Sequence, residues 1–221
     1  MQAAIGLLGG SFDPIHYAHL QLARDARDAL ALAEVRLIPA ARPWQKGEIT
    51  PGEHRARMVE LAIAGEPGLT LDTRELERPG ASYTIDTLRE LRAELGPRIP
   101  LVLILGGDQW ERMATWRDWQ HLTDYAHIAV ARRNNQALVT SPEVASWAEQ
   151  RTLDPTELLT RPAGGILAFS MTPIDLSATR IREELARDPT PARDAHLARA
   201  VPAAVLDYIR AHTLYRNLHG H

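Results

Sequence analysis

The run GGSFDPIHYAH, residues 9–19, follows the apolar stretch AAIGLL. Its chemistry lies in the imidazoles of His16 and His19, one helical turn apart and so on nearly the same side of a helix. At a helix start they join backbone N–H groups that lack intrahelical partners and the positive end of the dipole. Imidazole N–H donors placed there suit the oxygens of a polyphosphate. Two other readings stand beside this one. Either histidine caps or packs, or the pair forms a metal site with Asp13, for which a transition metal would need a further ligand.

Two familiar glycine loops do not fit. A dinucleotide fingerprint requires G-x-G-x-x-G and an acidic residue closing the second strand. GGSFDP has no third glycine, and the second apolar run closes as LIPAAR. A Walker loop requires G-K-[ST], which the chain does not contain. A second glycine pair occurs in LILGGDQW, residues 103–110. There Asp108 could accept from ribose hydroxyls or cap the following helix. A third group is DLSATRIREEL, residues 175–185, where Ser177 stands at an N-cap position and Thr179 in the first turn. Arg182 so near a helix start opposes the dipole preference for cations at the other end. A bidentate grip on phosphate would offset that cost; a solvated surface arginine is the plain alternative.

These groups need elements to hold them. Apolar runs at 3–8, 35–39, 69–73, 101–106, 126–132 and 165–170 read as strands. Helical patterns fall at 17–32, 52–64, 84–95, 110–123, 143–151, 177–187 and 202–212. Continuous apolar strands separated by helices predict an α/β fold, a Rossmann-like doubly wound parallel sheet, with a C-terminal helical portion. Such sheets bind ligands beyond the carboxyl ends of their strands. Residues 1–216 read as a single domain and 217–221 as a loose C-terminal tail. The polar, turn-rich stretch 133–163 reads as an excursion at the sheet's edge. A net charge of −3 argues against a nucleic-acid coat or a membrane-surface role. The absence of cysteine excludes thiolate catalysis and disulfides. With no membrane-length apolar run and no signal-peptide pattern, a cytoplasmic location is expected.

Together, GGSFDPIHYAH and LSATRIR resemble the nucleotidyltransferase superfamily marked by GGxFDPxHxGH and ISSTxIR. Within it, RLIPAARPWQK, LDTRELERPGASYTIDTLRELR, LILGGDQW, TWRDWQHL and VPAAVLDYIRAHTLYR resemble the bacterial nicotinate-nucleotide adenylyltransferases, over roughly residues 4–216. The resemblance implies transfer of AMP from ATP to nicotinate mononucleotide, with release of pyrophosphate, in NAD biosynthesis. It implies ATP contacts at Gly9, Gly10, Ser11, Phe12, His16, His19, Lys46, Gly106, Asp108, Ser177, Thr179 and Arg182. Of these, His16, His19 and Arg182 would be catalytic. It implies that Tyr83, Thr84 and Trp116 hold the nicotinate nucleotide. Mg²⁺ would arrive through ATP phosphates and water, with no protein metal site. No nucleic-acid or membrane partner is implied; a homo-oligomer is left open.

The chain departs from the family pattern in places. Ala18 stands for the glycine of HxGH, and Ala178 for the second serine of ISST. Ala40, Trp44 and Gln45 stand where the family has Asn, Pro and His, which alters the chemistry around Lys46. Unpartnered N–H groups at the start of the helix near Ser82–Thr84 would favour a carboxylate over an amide, unless Ser82 or Thr84 merely caps it. Trp116 offers a flat face to a pyridine ring, whereas Trp119 is expected in the core. Two rival readings share these motifs. They are another adenylyltransferase, acting on phosphopantetheine or nicotinamide mononucleotide, and a non-catalytic nucleotide sensor.

Overall fold

The structure, a computed structural model, describes residues 3–41, 49–133 and 137–216. Among these residues, six strands form one parallel sheet: β1 (Ile5–Gly10), β2 (Glu34–Pro39), β3 (Leu69–Leu71), β4 (Leu101–Leu105), β5 (His127–Arg133) and β6 (Ile166–Met171). Their order is β3-β2-β1-β4-β5-β6, so the sheet is doubly wound. Its direction of growth reverses between β1 and β4, and a crevice opens at that switch point.

Side chains alternate between the two faces. Ala4 just before β1 and Leu8 within it, with Val102 and Ile104 of β4, enter one core. Ile5 and Leu7, with Leu101, Leu103 and Leu105, enter the other. Gly6 has a packing reason to lack a side chain, because a Cβ there would lie 2.8 Å from Leu32 and 2.9 Å from Ile104. The first core is covered by α1 (Tyr17–Ala29), α2 (Gly52–Ile63), α7 (Ala178–Ala186), α8 (Pro191–Ala200) and α9 (Ala203–Ala211). The second is covered by α4 (Thr84–Leu95) and α6 (Pro142–Glu149). Two short helices, α3 (Arg74–Glu77) and α5 (Gly107–Glu111), lie at the carboxyl ends of β3 and β4. Each fully buried leucine or isoleucine contributes about 1.5–3 kcal/mol, so both layers are needed.

The strand predictions hold within two residues, but the single helix expected over 110–123 does not form. Its place is taken by α5 and two 3₁₀ turns, Met113–Thr115 and Trp119–Asp124, joined through Asp118 at a φ of 52°. Trp110 and Trp119 are both buried in the same core. At about 100° per residue, a continuous helix would point them in opposite directions. α8 was not predicted, although Thr190 followed by Pro191 is a helix-start signal. The Thr190 hydroxyl indeed accepts from the Arg193 N–H at 3.2 Å. The 133–163 stretch joins β5 to β6 at the sheet's edge, but it holds α6 and a 3₁₀ turn at Pro155–Thr160. The tail expected at 217–221 lies outside the described residues.

Candidate active site

β1 delivers Gly9 and Gly10 to the crevice, and the next turn is built around a buried ring. Phe12 adopts a φ of 48° and is fully buried. A Cβ on Gly10 would lie 3.0 Å from that ring, so a larger residue there would press on the buried Phe12. A cis Asp13–Pro14 peptide leads into α1. His16 is the N-cap of α1, and its N–H donates to His19 Nδ1 at 3.3 Å. That bond leaves the proton of a neutral His19 ring on Nε2. The two imidazoles stack with centroids 3.8 Å apart, and the Phe12 ring meets His19 edge-on at 5.1 Å. His16 is buried, while His19 is half-buried.

The late motif converges on this loop. Ser177 caps α7, its hydroxyl accepting from the Arg180 N–H at 3.2 Å. Arg182 projects from the second turn of α7, and its Nη1 donates to the Asp13 carbonyl at 2.7 Å. Its Nη2 lies 3.5 Å from the Thr179 hydroxyl. The Asp13 side chain is engaged elsewhere. Oδ1 accepts from the Tyr215 phenol at 2.6 Å, and Oδ2 from the Thr50 N–H at 3.3 Å. The metal reading that joins Asp13 to the histidines is therefore not supported. Among the described residues, no group of three or more His, Asp or Glu could hold a metal ion.

Beside the loop lies a cavity of about 250 Å³, lined by Gly9, Gly10, Ser11, Ser82, Tyr83, Thr84, Asp108 and Trp116. Its volume is many times what a single ordered water needs. The cavity brings together residues expected on the ATP side and on the nicotinate side. Its floor is apolar, from Leu7, Ile38, Leu103 and Leu105. Asp108 does not cap the helix after β4: Gly106 is the N-cap, and Asp108 stays exposed at the cavity. Neither Ser82 nor Thr84 caps α4. Tyr83 is its N-cap, and the Ser82 hydroxyl instead accepts from the Ala41 N–H at 3.0 Å. Trp119 is buried edge-on against Trp147.

Some expected contacts fall elsewhere. Phe12 turns its ring into the core, so only its backbone can face a ligand. Lys46, Trp44 and Gln45 lie outside the described residues.

Four residues at the site were not anticipated. Arg55 of α2 is fully buried and donates to the carbonyls of Thr50 at 2.7 Å, Ser11 at 2.8 Å and Ala41 at 3.2 Å. Burial pulls its pKa down, and the Asp13 charge pulls it back up. Glu75 lines the cavity while nearly buried and accepts from the Thr87 hydroxyl at 2.6 Å. Burial pushes its pKa up, against the pull of Thr87, Ser82 and Arg78. The guanidinium of Arg117 sits 4.8 Å over the Tyr83 ring at the cavity's rim. The fourth is Tyr215. Of these, only Arg55 carried a usable signal, a charge on the same helix face as Met58, Val59 and Ala62, where charge is out of place.

This architecture, a cleft at a switch point beside a loop that leads into a histidine pair and seats an arginine from α7, is that of a nucleotidyltransferase. Residues 7–184 match the cytidylyltransferase-like family, and the chain belongs to it. Within that family it belongs to the nicotinate-nucleotide adenylyltransferases. It is 46% identical to a protein of Laribacter hongkongensis over 98% of this chain and 96% of that one. It is 47% identical to one of Aeromonas salmonicida over 98% and 99%. Both relatives carry the name "Probable nicotinate-nucleotide adenylyltransferase". The fold is shared with a Plasmodium falciparum nicotinic acid mononucleotide adenylyltransferase complexed with NaAD. The TM-score is 0.73 at 18% identity, covering 96% of this chain and 97% of that one.

Proposed function

We propose that this chain transfers the AMP moiety of ATP to nicotinate mononucleotide, giving nicotinate adenine dinucleotide and pyrophosphate, a step of NAD biosynthesis. The observation that carries the reading is the single cavity shared by Gly9–Ser11, Asp108, Ser82–Thr84 and Trp116. The loop at one end of it is fastened to Arg182. The names of the relatives aligned along nearly the whole chain support it.

In the reaction, a phosphate oxygen of nicotinate mononucleotide attacks the α-phosphorus of ATP. The bond from that phosphorus to the bridging oxygen breaks, and pyrophosphate leaves with the electron pair. The attacking oxygen is already anionic, so no general base is needed. The barrier is electrostatic, because two polyanions meet and charge grows on the leaving group. Catalysis then rests on positioning and on preorganised positive charge. His16, His19 and Arg182 act as donors to the triphosphate, together with Ser177 and Thr179 at the start of α7. Gly9, Gly10, Ser11 and the backbone of Phe12 form the cradle, and Gly106 and Asp108 face the ATP ribose. Tyr83, Thr84 and Trp116 hold the nicotinate ring; Lys46 is assigned to the phosphates by its position in the family pattern.

Mg²⁺ fits this site as a companion of ATP. The donors around the loop are imidazole, guanidinium and backbone N–H, which suit phosphate oxygens rather than a hard cation. When bound through phosphate oxygens and water, the ion would neutralise triphosphate charge. The described residues contain no helix long and apolar enough to cross a membrane, which agrees with a cytoplasmic setting for the reaction.

The test is release of pyrophosphate from ATP with nicotinate or nicotinamide mononucleotide. Turnover with a higher kcat/KM for nicotinate mononucleotide is expected. Equal values for the two would remove the carboxylate preference, and ATP binding without turnover would favour the sensor.

A further inference from the structure

Residues 11–13 are gripped from three distant parts of the chain. Arg55 holds the Ser11 carbonyl from α2. Arg182 is seated on the Asp13 carbonyl from α7. The third grip comes from beyond α9, where the chain folds back to insert Tyr215, only 9% exposed, under the loop. Its hydroxyl donates to Asp13 Oδ1 at 2.6 Å across 202 positions of sequence. Reaching that point takes unusual backbone: Thr213 has a φ of 54° and Tyr215 one of 68°. Such conformations persist at non-glycine residues only where surrounding contacts fix them. Leu214, between them, packs against the first core.

We propose that Tyr215 is a positioning residue for the triphosphate loop: by fixing the Asp13 carboxyl, it sets the carbonyl on which Arg182 is seated. The proposal rests on the reading of that loop as the phosphate site. Asp13 links the two contacts within one residue, its side chain to Tyr215 and its carbonyl to Arg182. Loss of the phenol leaves a buried carboxyl oxygen without its donor, and the residue must turn to recover one. The carbonyl then shifts, and Arg182 with it. Tyr215 belongs to the first core, whereas Tyr83 and Trp116 pack against the second, on the other face of the sheet. The acceptor side should therefore be spared.

The experiment is Tyr215→Phe, which deletes one oxygen atom and keeps the ring. Turnover, both KM values and thermal stability are measured, together with calorimetric affinity for inorganic triphosphate. A fall in kcat of about thirtyfold is expected, since small misplacements near reacting groups cost up to about a hundredfold. KM for nicotinate mononucleotide should stay within about twofold, and triphosphate affinity should fall about tenfold, roughly a 1.4 kcal/mol effect. Unchanged kcat and triphosphate affinity would overturn the proposal. So would a parallel loss in Tm and in both KM values, the mark of a merely structural tyrosine. If the wild-type protein binds triphosphate but transfers no AMP, the functional reading fails alone. Tyr215→Phe is then judged on triphosphate affinity, where a tenfold loss supports it and equality sinks it. No triphosphate binding by the wild type would end both.

Discussion

The guanidinium of Arg182 donates to the backbone carbonyl of Asp13 at 2.7 Å, joining two motifs 169 residues apart. Nη1 is spent on that carbonyl, and the fork is aimed by this anchor together with the longer contact of Nη2 to the Thr179 hydroxyl. Arg182→Lys keeps a charge but loses the planar fork that spans the carbonyl and a phosphate. Its kcat should fall at least a hundredfold, about 3 kcal/mol of barrier. Steady-state kinetics beside a thermal melt would check this; near wild-type turnover would remove Arg182 from the mechanism.

His19 is held by its stack on His16 and by the His16 N–H. His19→Ala should lower kcat at least a hundredfold, of the order seen when one preorganised donor is deleted. Because the ring is half-buried rather than in the core, the variant should keep its fold, as circular dichroism would report. A variant that melts early without losing turnover at low temperature would mean that the ring only packs.

Glu75 gives a pH-dependent expectation. Its pKa is raised by burial, so the folded chain holds the proton more tightly than the unfolded one. That contribution is complete below the ordinary glutamate value of about 4.3 and is lost as pH rises through the folded value. Glu75→Gln keeps an acceptor for the Thr87 hydroxyl and cannot ionise. The Tm advantage of the variant over the wild type should therefore grow between about pH 5 and pH 8. An advantage that shrinks over that range would show that the carboxylate is stabilised by Arg78 instead.

His127 has the opposite sign. It is fully buried in β5; its Nδ1 accepts from the Gly165 N–H at 3.0 Å, and Nε2 lies 2.9 Å from the Arg161 carbonyl. Protonation would set Nδ1–H against that N–H, and burial already lowers the pKa. The unfolded chain binds the proton first, so stability is lost as pH falls below about 6.5. Urea midpoints of the wild type and His127→Gln should converge toward acid pH. Parallel pH dependences would assign the acid sensitivity to other groups.

Much of the framework was legible along the chain. Continuous apolar runs marked the strands because both faces of a parallel sheet are buried. Ser177 was placed as a cap because its hydroxyl needs only the N–H three residues on. Asp108, Ser82 and Thr84 resisted the same logic. Each could have capped a helix, yet the caps went to Gly106 and Tyr83. The broken helix after β4 failed for a related reason: Trp110 and Trp119 answer to one core, not to one helical face.

By itself, the sequence determined the alternation of strands and helices, the glycine turn after β1 and the two donor-bearing helix starts. These depend on neighbours within a few residues, where periodicity and capping act. Only the tertiary structure decided that Arg55 would hold three carbonyls, that Arg182 would rest on Asp13 and that Tyr215 would close the loop from below. The strand order sets which distant groups come within hydrogen-bond reach of these donors, and no local pattern of residues encodes that approach.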